Sequence, residues 1–326
     1  MQDSTGKASV WPALDYADWR DTAATVHLWT QIVGKVRLAL SPWINHGWQV
    51  PLYVNAHGVG TSPVHVGRGI VEIDFDFVDH RLVVRTSERP DRGFALEPMS
   101  VATFYRRVLS ELEAADVGVT INVMPNEVPK PIRFPDDEAH ASYDAAAVHA
   151  FWRILIQVDR VFRLFRTGFL GKSSPVHLFW GSFDLAVTRF SGRPAPLHPG
   201  GVPGLPDAVT REAYSHEVSS AGFWPGSDAY PHAAFYSYAY PTPPGFLGAA
   251  VEPAEAFWSA EMGEWLLPYE AVRSAVDGDA VLLRFLETTY RAAATLAGWD
   301  RHLDCGIGVP GRARSVAPTG AGSTPS

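Results

Sequence analysis

Between Gly171 and Arg193 the chain reads GKSSPVHLFWGSFDLAVTRFSGR, which sets Lys172, His177, Ser182, Asp184, Arg189 and Arg193 among Phe179, Trp180, Phe183 and Phe190. Imidazole titrates near neutral pH and serves as a general acid or base when a carboxylate orients it. His177 or His216 is therefore the candidate acid or base, with Asp184 or Glu217 as its orienting partner. Lys172, Arg189 and Arg193 offer positive charge to a carboxylate or phosphate on a ligand. Trp180, Phe223, Trp224, Tyr236 and Tyr238 supply aromatic walls. Twelve of the seventy residues from 171 to 240 are Phe, Trp or Tyr, a richer share than the chain's 12%. Small-molecule pockets have this make-up, apolar walls with a few placed polar groups. An aromatic core between two layers has it as well.

Other chemistries leave weaker marks. Ser182 in Trp-Gly-Ser-Phe lacks the Gly-x-Ser-x-Gly elbow of an α/β-hydrolase nucleophile. His177, Asp184, His216, Glu217 and His232 are ligand-competent for a metal, but the spacing matches no HExxH, paired CxxC or EF-hand loop, so no metal is assigned. No GxGxxG or GxxxxGK[ST] follows a strand, and the cofactor stays open.

The elements that must position these residues follow from periodicity. Residues 1–21 read as a leader packed down through Trp11, Leu14, Tyr16 and Trp19. From Thr22 to Leu40 the apolar residues Val26, Trp29, Val33, Val36 and Leu40 recur at helical spacing. On that helix His27, Gln31 and Lys35 stand at i, i+4 and i+8, a polar stripe that reads as a solvent-facing edge or, alternatively, as ligand contacts. Short strands are expected at 49–55, 64–66, 70–77 and 82–86, then a helix from Val101 to Ala115 capped by Ser100, and a strand at 119–124. Glu72, Asp74 and Asp76 alternate on one side of their strand and read as a solvated sheet face. Residues 125–141 are rich in proline and acid, an exposed connection between two halves.

A long helix follows over 145–167, capped by Ser142 or Asp144, and then the central strand, bent at Gly181. A bulge there would bring His177 and Asp184 to one side. Residues 191–207 form a Pro/Gly loop of lid-like length. Strands are expected at 214–223, 233–240 and 256–267, a short helix at 270–275 and a longer one at 280–297.

The chain has 326 residues, 46% of them apolar, enough for one large or two ordinary domains, and a net charge of -8. That charge, with no basic block, disfavours nucleic acid as a partner. No apolar run is long enough to span a bilayer, so no membrane partner is expected, and the single cysteine, Cys305, permits no internal disulfide. These features and the acidic, polar start of the chain fit a cytoplasmic protein. Only four residues are lysine against 27 basic residues in all, which singles out Lys35 and Lys172 within apolar or Gly/Ser-rich surroundings.

Several segments together, HLWTQIVGKVRLAL, HASYD, GKSSPVHLFWGSFDLAVTRFSGR, REAYSHEVSSAGFWPG and AFYSYAYPTPPG, resemble a bacterial family of uncharacterised proteins, domain of unknown function family 5996. The resemblance runs nearly to Cys305 and implies no activity, cofactor or catalytic residue. The expected architecture is α+β, with mainly antiparallel sheets covered by about four main helices. Its two similar halves are 1–130 and 131–305, the second carrying the site, and 306–326 is a disordered tail. The expected function is an enzyme acting on a small anionic or aromatic molecule in an aromatic-lined cleft. A non-catalytic small-molecule binding protein and an interaction scaffold are the alternatives. The oligomeric state is not readable.

Overall fold

A computed structural model describes residues 10–308, and the tail expected to be disordered lies, from 309 on, outside the described residues. Helix α1 spans Tyr16–Leu40, begins inside the expected leader, and is capped by Asp15, whose carboxylate accepts from the Ala17 N–H. It is buried on most sides: Trp19, Val26, Trp29, Val33 and Val36 are all buried, and so are Gln31 and Lys35. Trp29 stacks on Phe104 with centroids 4.6 Å apart, and Phe104 stacks on Phe75 at 5.9 Å.

The first sheet contains β1 (Tyr53–Val54), β2 (Gly58–Gly60), β3 (Val64–Val66), β4 (Gly69–Asp76), β5 (Arg81–Thr86) and β6 (Arg92–Ala95), every pair antiparallel. Val71, Ile73 and Phe75 on β4 point into the core, as their alternation predicts. Asp74 on the other face is not simply solvated, because it accepts from Asn55 Nδ2 at 2.9 Å and pairs with Arg85. Helix α2, Val101–Ala114, starts at Ser100, whose hydroxyl accepts from the Thr103 N–H. The expected strand at 119–124 is absent. Its backbone meets a turn instead, with the Phe134 N–H donating to Val123 O at 2.9 Å.

Helix α3, Ala145–Arg166, carries an apolar stripe and an Asp144 cap that accepts from two backbone N–H groups. It touches α1, β1, and the second sheet at β8. That sheet has the order β11-β12-β10-β9-β8-β7, all antiparallel. Its strands are β7 (His177–Phe179), β8 (Asp184–Pro194), β9 (His216–Trp224), β10 (Ala234–Tyr240), β11 (Phe257–Ser259) and β12 (Glu264–Pro268). The short helices α4 (Asp207–Ala213) and α5 (Tyr269–Arg273) and the longer α6 (Gly278–Leu296) complete the order. The protein is thus α+β with antiparallel sheets, and one continuous apolar cluster runs from Trp11 to Trp299.

What the sequence reads as a bent strand is a hairpin. Residues 180–183 turn between β7 and β8, and Phe183 occupies the left-handed region at φ 57°. A non-glycine residue there is strained, and the Phe183 ring is held by stacking on His27 at 4.9 Å and on Phe151 at 5.3 Å. Residues 256–267 likewise form two strands, β11 and β12, with a turn between them.

Candidate functional site

The hairpin register decides which side chains share a face. His177 lies opposite Ala186 and Phe179 opposite Asp184, so His177, Phe179, Asp184, Ala186, Thr188 and Phe190 point the same way. Thr188 lies opposite Ser220, and Ser220 opposite Tyr238, which extends that face across β9 and β10. The opposite face, with Leu185, Val187, Phe223 and Phe235, packs against α3 and α6 as core.

On the first face a cavity of about 420 Å³ opens under α4 and the loop before it. Its polar lining holds three carboxyls, Glu127, Asp184 and Glu264, and two imidazoles, His46 and His177, among hydroxyls that include those of Tyr214, Tyr236 and Tyr238. Trp224 packs on Tyr236 at 4.6 Å and Tyr236 stacks on Tyr238 at 6.0 Å. The Asp184 carboxylate accepts from the hydroxyls of Ser182 and Tyr236. Burial pushes its pKa up, and those two donors counter part of the rise. Burial, then repulsion from Asp184, pushes Glu264 up to about 8, and one of its oxygens, Oε2, is buried without a hydrogen-bond partner. The same two causes push Glu127 up to about 7. Tyr214 and Tyr238 share a hydroxyl–hydroxyl bond of 2.9 Å, and Thr188 bonds Ser220 at 2.8 Å.

His177 faces this cavity, but its Nδ1–H donates to Pro175 O at 2.7 Å and burial lowers its pKa to about 4. It is a neutral wall at physiological pH, and Asp184 does not orient it. His216 sits at the far end of the face, 5.4 Å from the ring of His46. Glu217 alternates to the other face and pairs with Arg193, whose guanidinium also donates to Ala297 O and Gly298 O at the end of α6. Arg189 is buried on the core side, where it donates to Phe165 O and lies against Phe165 and Tyr290. The expected constellation of His177, Asp184, His216 and Glu217 therefore does not converge, because two-residue alternation separates Glu217 from the other three. His232 lies outside the cavity lining, in the connection before β10. Among the described residues no group of three or more His, Cys, Asp or Glu is arranged to hold a metal ion.

Among the expected aromatic walls, Trp224, Tyr236 and Tyr238 line the cavity. Phe223 is core, and Trp180 is a buried tie whose Nε1 donates to Val50 O at 3.0 Å. Gly34 on α1 is what lets Trp180 in, since a Cβ there would lie 2.1 Å from its ring. Lys172 stands behind the cavity wall, in contact with His46 Nε2 and 5.0 Å above the Phe190 ring.

The stripe on α1 faces inward, which corrects its reading as a solvent-facing edge. Gln31 accepts from the Asn126 N–H and donates to Asn126 O, each at 2.8 Å. The Lys35 ammonium donates to Asn126 Oδ1 and lies over the Trp180 ring, and burial lowers its pKa to about 8. His27 meets Gly181 O at 2.9 Å, and burial lowers it to about 4. Together they clamp residues 126–127 against the hairpin turn, and Glu127 is the residue thereby presented to the cavity. Glu127 and Glu264 are the site residues that sequence reasoning misses. Glu127 sits in a Pro-rich connection that looks exposed, and the available signal for Glu264 is its place two residues before Leu266, which puts both on the strand face that Tyr236 occupies.

An α+β fold of two six-stranded antiparallel sheets, with an aromatic and carboxyl-lined cavity on the second, defines the class of protein. Residues 11–305 match the model of a family of unknown function, DUF5996, and the chain belongs to that family. No curated protein and no solved structure matches it.

Proposed function

We propose that this cavity is a small-molecule site for a neutral or cationic, ring-bearing ligand, and that Glu127 and Glu264 exchange protons with it. The observation that carries the reading is the lining itself: three carboxyls and no lysine or arginine, walled by tryptophan and tyrosine. A ligand anion would meet repulsion from Asp184, whereas an ammonium would meet both a carboxylate and aromatic faces. The anionic ligand expected from Lys172, Arg189 and Arg193 loses support, since both arginines point away from the cavity and Lys172 lies outside its lining, against His46. Glu127 and Glu264, raised to about 7 and about 8, keep their protons well above the usual carboxylate range, so the site holds donors and acceptors of protons together. Turnover of a bound molecule by these groups is the enzymatic form of this reading.

Calorimetry tests it with benzylamine, methyl glucoside, benzoate and phenyl phosphate as probes at pH 7.5. Benzylamine is expected to bind and to release protons, seen as a binding heat that changes between phosphate and Tris buffers. Glu264→Gln is expected to shrink that buffer dependence. Binding of benzoate or phenyl phosphate in preference to the other two would refute the reading.

A further inference from the structure

A second cavity, of about 450 Å³, adjoins the first and shares Glu127, Ser182 and Trp224 with it. It lies between the N-terminal half of α1, with Tyr16, Ala24 and Leu28, and residues 225–230 after β9. Its polar groups differ from those of the first: Tyr16 donates to Asp228 at 3.1 Å, and the neutral His27 forms part of its wall. Each cavity alone falls in the range of about 300–1,000 Å³ that small-molecule sites occupy.

Glu127 stands at the partition, lining both cavities. Its backbone is in the left-handed region, φ 54°, a strained conformation for a residue with a side chain. The strain is maintained by the clamp of Gln31 and Lys35 on Asn126 and by Asn126 Nδ2 donating to Gly204 O at 2.9 Å. Two glycines make room for it. A Cβ at Gly181 would lie 2.2 Å from Glu127 Oε1, and one at Gly204 would lie 2.6 Å from the Glu127 nitrogen. After all this positioning, the Glu127 carboxyl has neither a hydrogen bond nor an ion pair with any described residue. A half-buried carboxyl that lines both cavities and pairs with no described residue can accept a hydrogen bond from a ligand in either.

We propose that the two cavities are two subsites of one site, and that its natural ligand is a two-part molecule with one ring-bearing group in each cavity and its polar linkage against Glu127. This rests on the reading of the first cavity as a neutral or cationic small-molecule site. Trp224, common to both linings, offers an aromatic surface at the point where the parts join.

Calorimetry with linked probes and their halves tests the proposal: dibenzylamine against benzylamine, and phenyl glucoside against phenol and methyl glucoside. The linked member of at least one series is expected to bind at least about tenfold more tightly than either half, as one molecule then gains both subsites. Ala213→Trp, which fills the first cavity, and Ala24→Trp, which fills the second, should each return the linked probe to the affinity of a half. Gly181→Ala should do the same by pushing the Glu127 carboxyl aside, at little cost to the fold because the new methyl meets only the end of a flexible side chain. Thermal melts confirm that each variant is folded.

If linked probes bind no better than their halves, or Ala24→Trp leaves their affinity unchanged, the two-part ligand is overturned while the first cavity stands as a site. Absence of binding by every probe, halves included, overturns the reading of the first cavity and this proposal with it.

Discussion

The carboxyl of Glu264 gives the sharpest quantitative prediction. An unfolded glutamate titrates near 4.5, and in the folded protein burial and Asp184 raise this one to about 8. Between those values the folded protein holds a proton that the unfolded chain has released, so stability falls as pH rises from about 4.5 to about 8. Below that window both states are protonated and the group contributes nothing; above it the loss is complete. At ~1.4 kcal/mol per pH unit the full difference corresponds to about 5 kcal/mol. Partial solvent access at the mouth of the cavity screens the charge, and about 2–4 kcal/mol is the expected effect. Urea unfolding of the protein and of Glu264→Gln at intervals from pH 4.5 to 9 isolates it. Glutamine has no proton to lose, so the gap between the two stabilities should move by about 2–4 kcal/mol in the variant's favour across the window. All other titrating groups cancel in that comparison unless they touch Glu264. Parallel curves would refute the claim that Glu264 is protonated in the folded cavity, and with it the assignment of a proton donor there.

Three further predictions follow from the same geometry. Gln31→Leu removes both partners of the Asn126 backbone and should cost about 2–4 kcal/mol by urea unfolding while weakening any ligand that depends on Glu127; a change below about 0.5 kcal/mol would remove the clamp from the argument. His27 and His177, both lowered to about 4, should appear as neutral imidazoles in nitrogen NMR spectra at pH 6, His177 as the Nδ1–H tautomer, and imidazolium signals at that pH would contradict their burial. Arg189→Ala should destabilise the protein by about 2–4 kcal/mol through loss of its bond to the last turn of α3 and of its ring contacts, without changing binding of benzylamine, because Arg189 lies on the other face of the sheet.

Periodicity made the long elements legible. The helices at 101–114, 145–166 and 278–296 follow from apolar residues at spacings of three and four and from Ser100, Asp144 and Gly298 at their ends. The alternation in IVEIDFD likewise marks β4. What stayed hidden depends on contacts distant in sequence. Nothing local distinguishes a polar stripe that faces water from one that clamps a loop, so His27, Gln31 and Lys35 were readable as a stripe but not in their orientation. The turn at 180–183 was obscured because Phe183 occupies a position where glycine or asparagine would have announced it. Asp184, Trp224, Tyr236 and Tyr238 were legible as site candidates from density alone. Arg189 and Arg193 drew attention by type, yet helix ends consume both, a common fate for arginine beside carbonyls left over at a C-terminus.

The clamp on Asn126 also bears on how the protein comes into being. Asn126 is tied to Gln31, 95 residues earlier, and to Gly204, 78 residues later. Contacts of such separation close late, since large loops must be ordered before the contacts reward it. A nascent chain that has not reached Gly204 lacks the carbonyl to which Asn126 Nδ2 donates. The acid at the centre of the cleft is thus held by three stretches of chain far apart in sequence, around residues 31, 126 and 204.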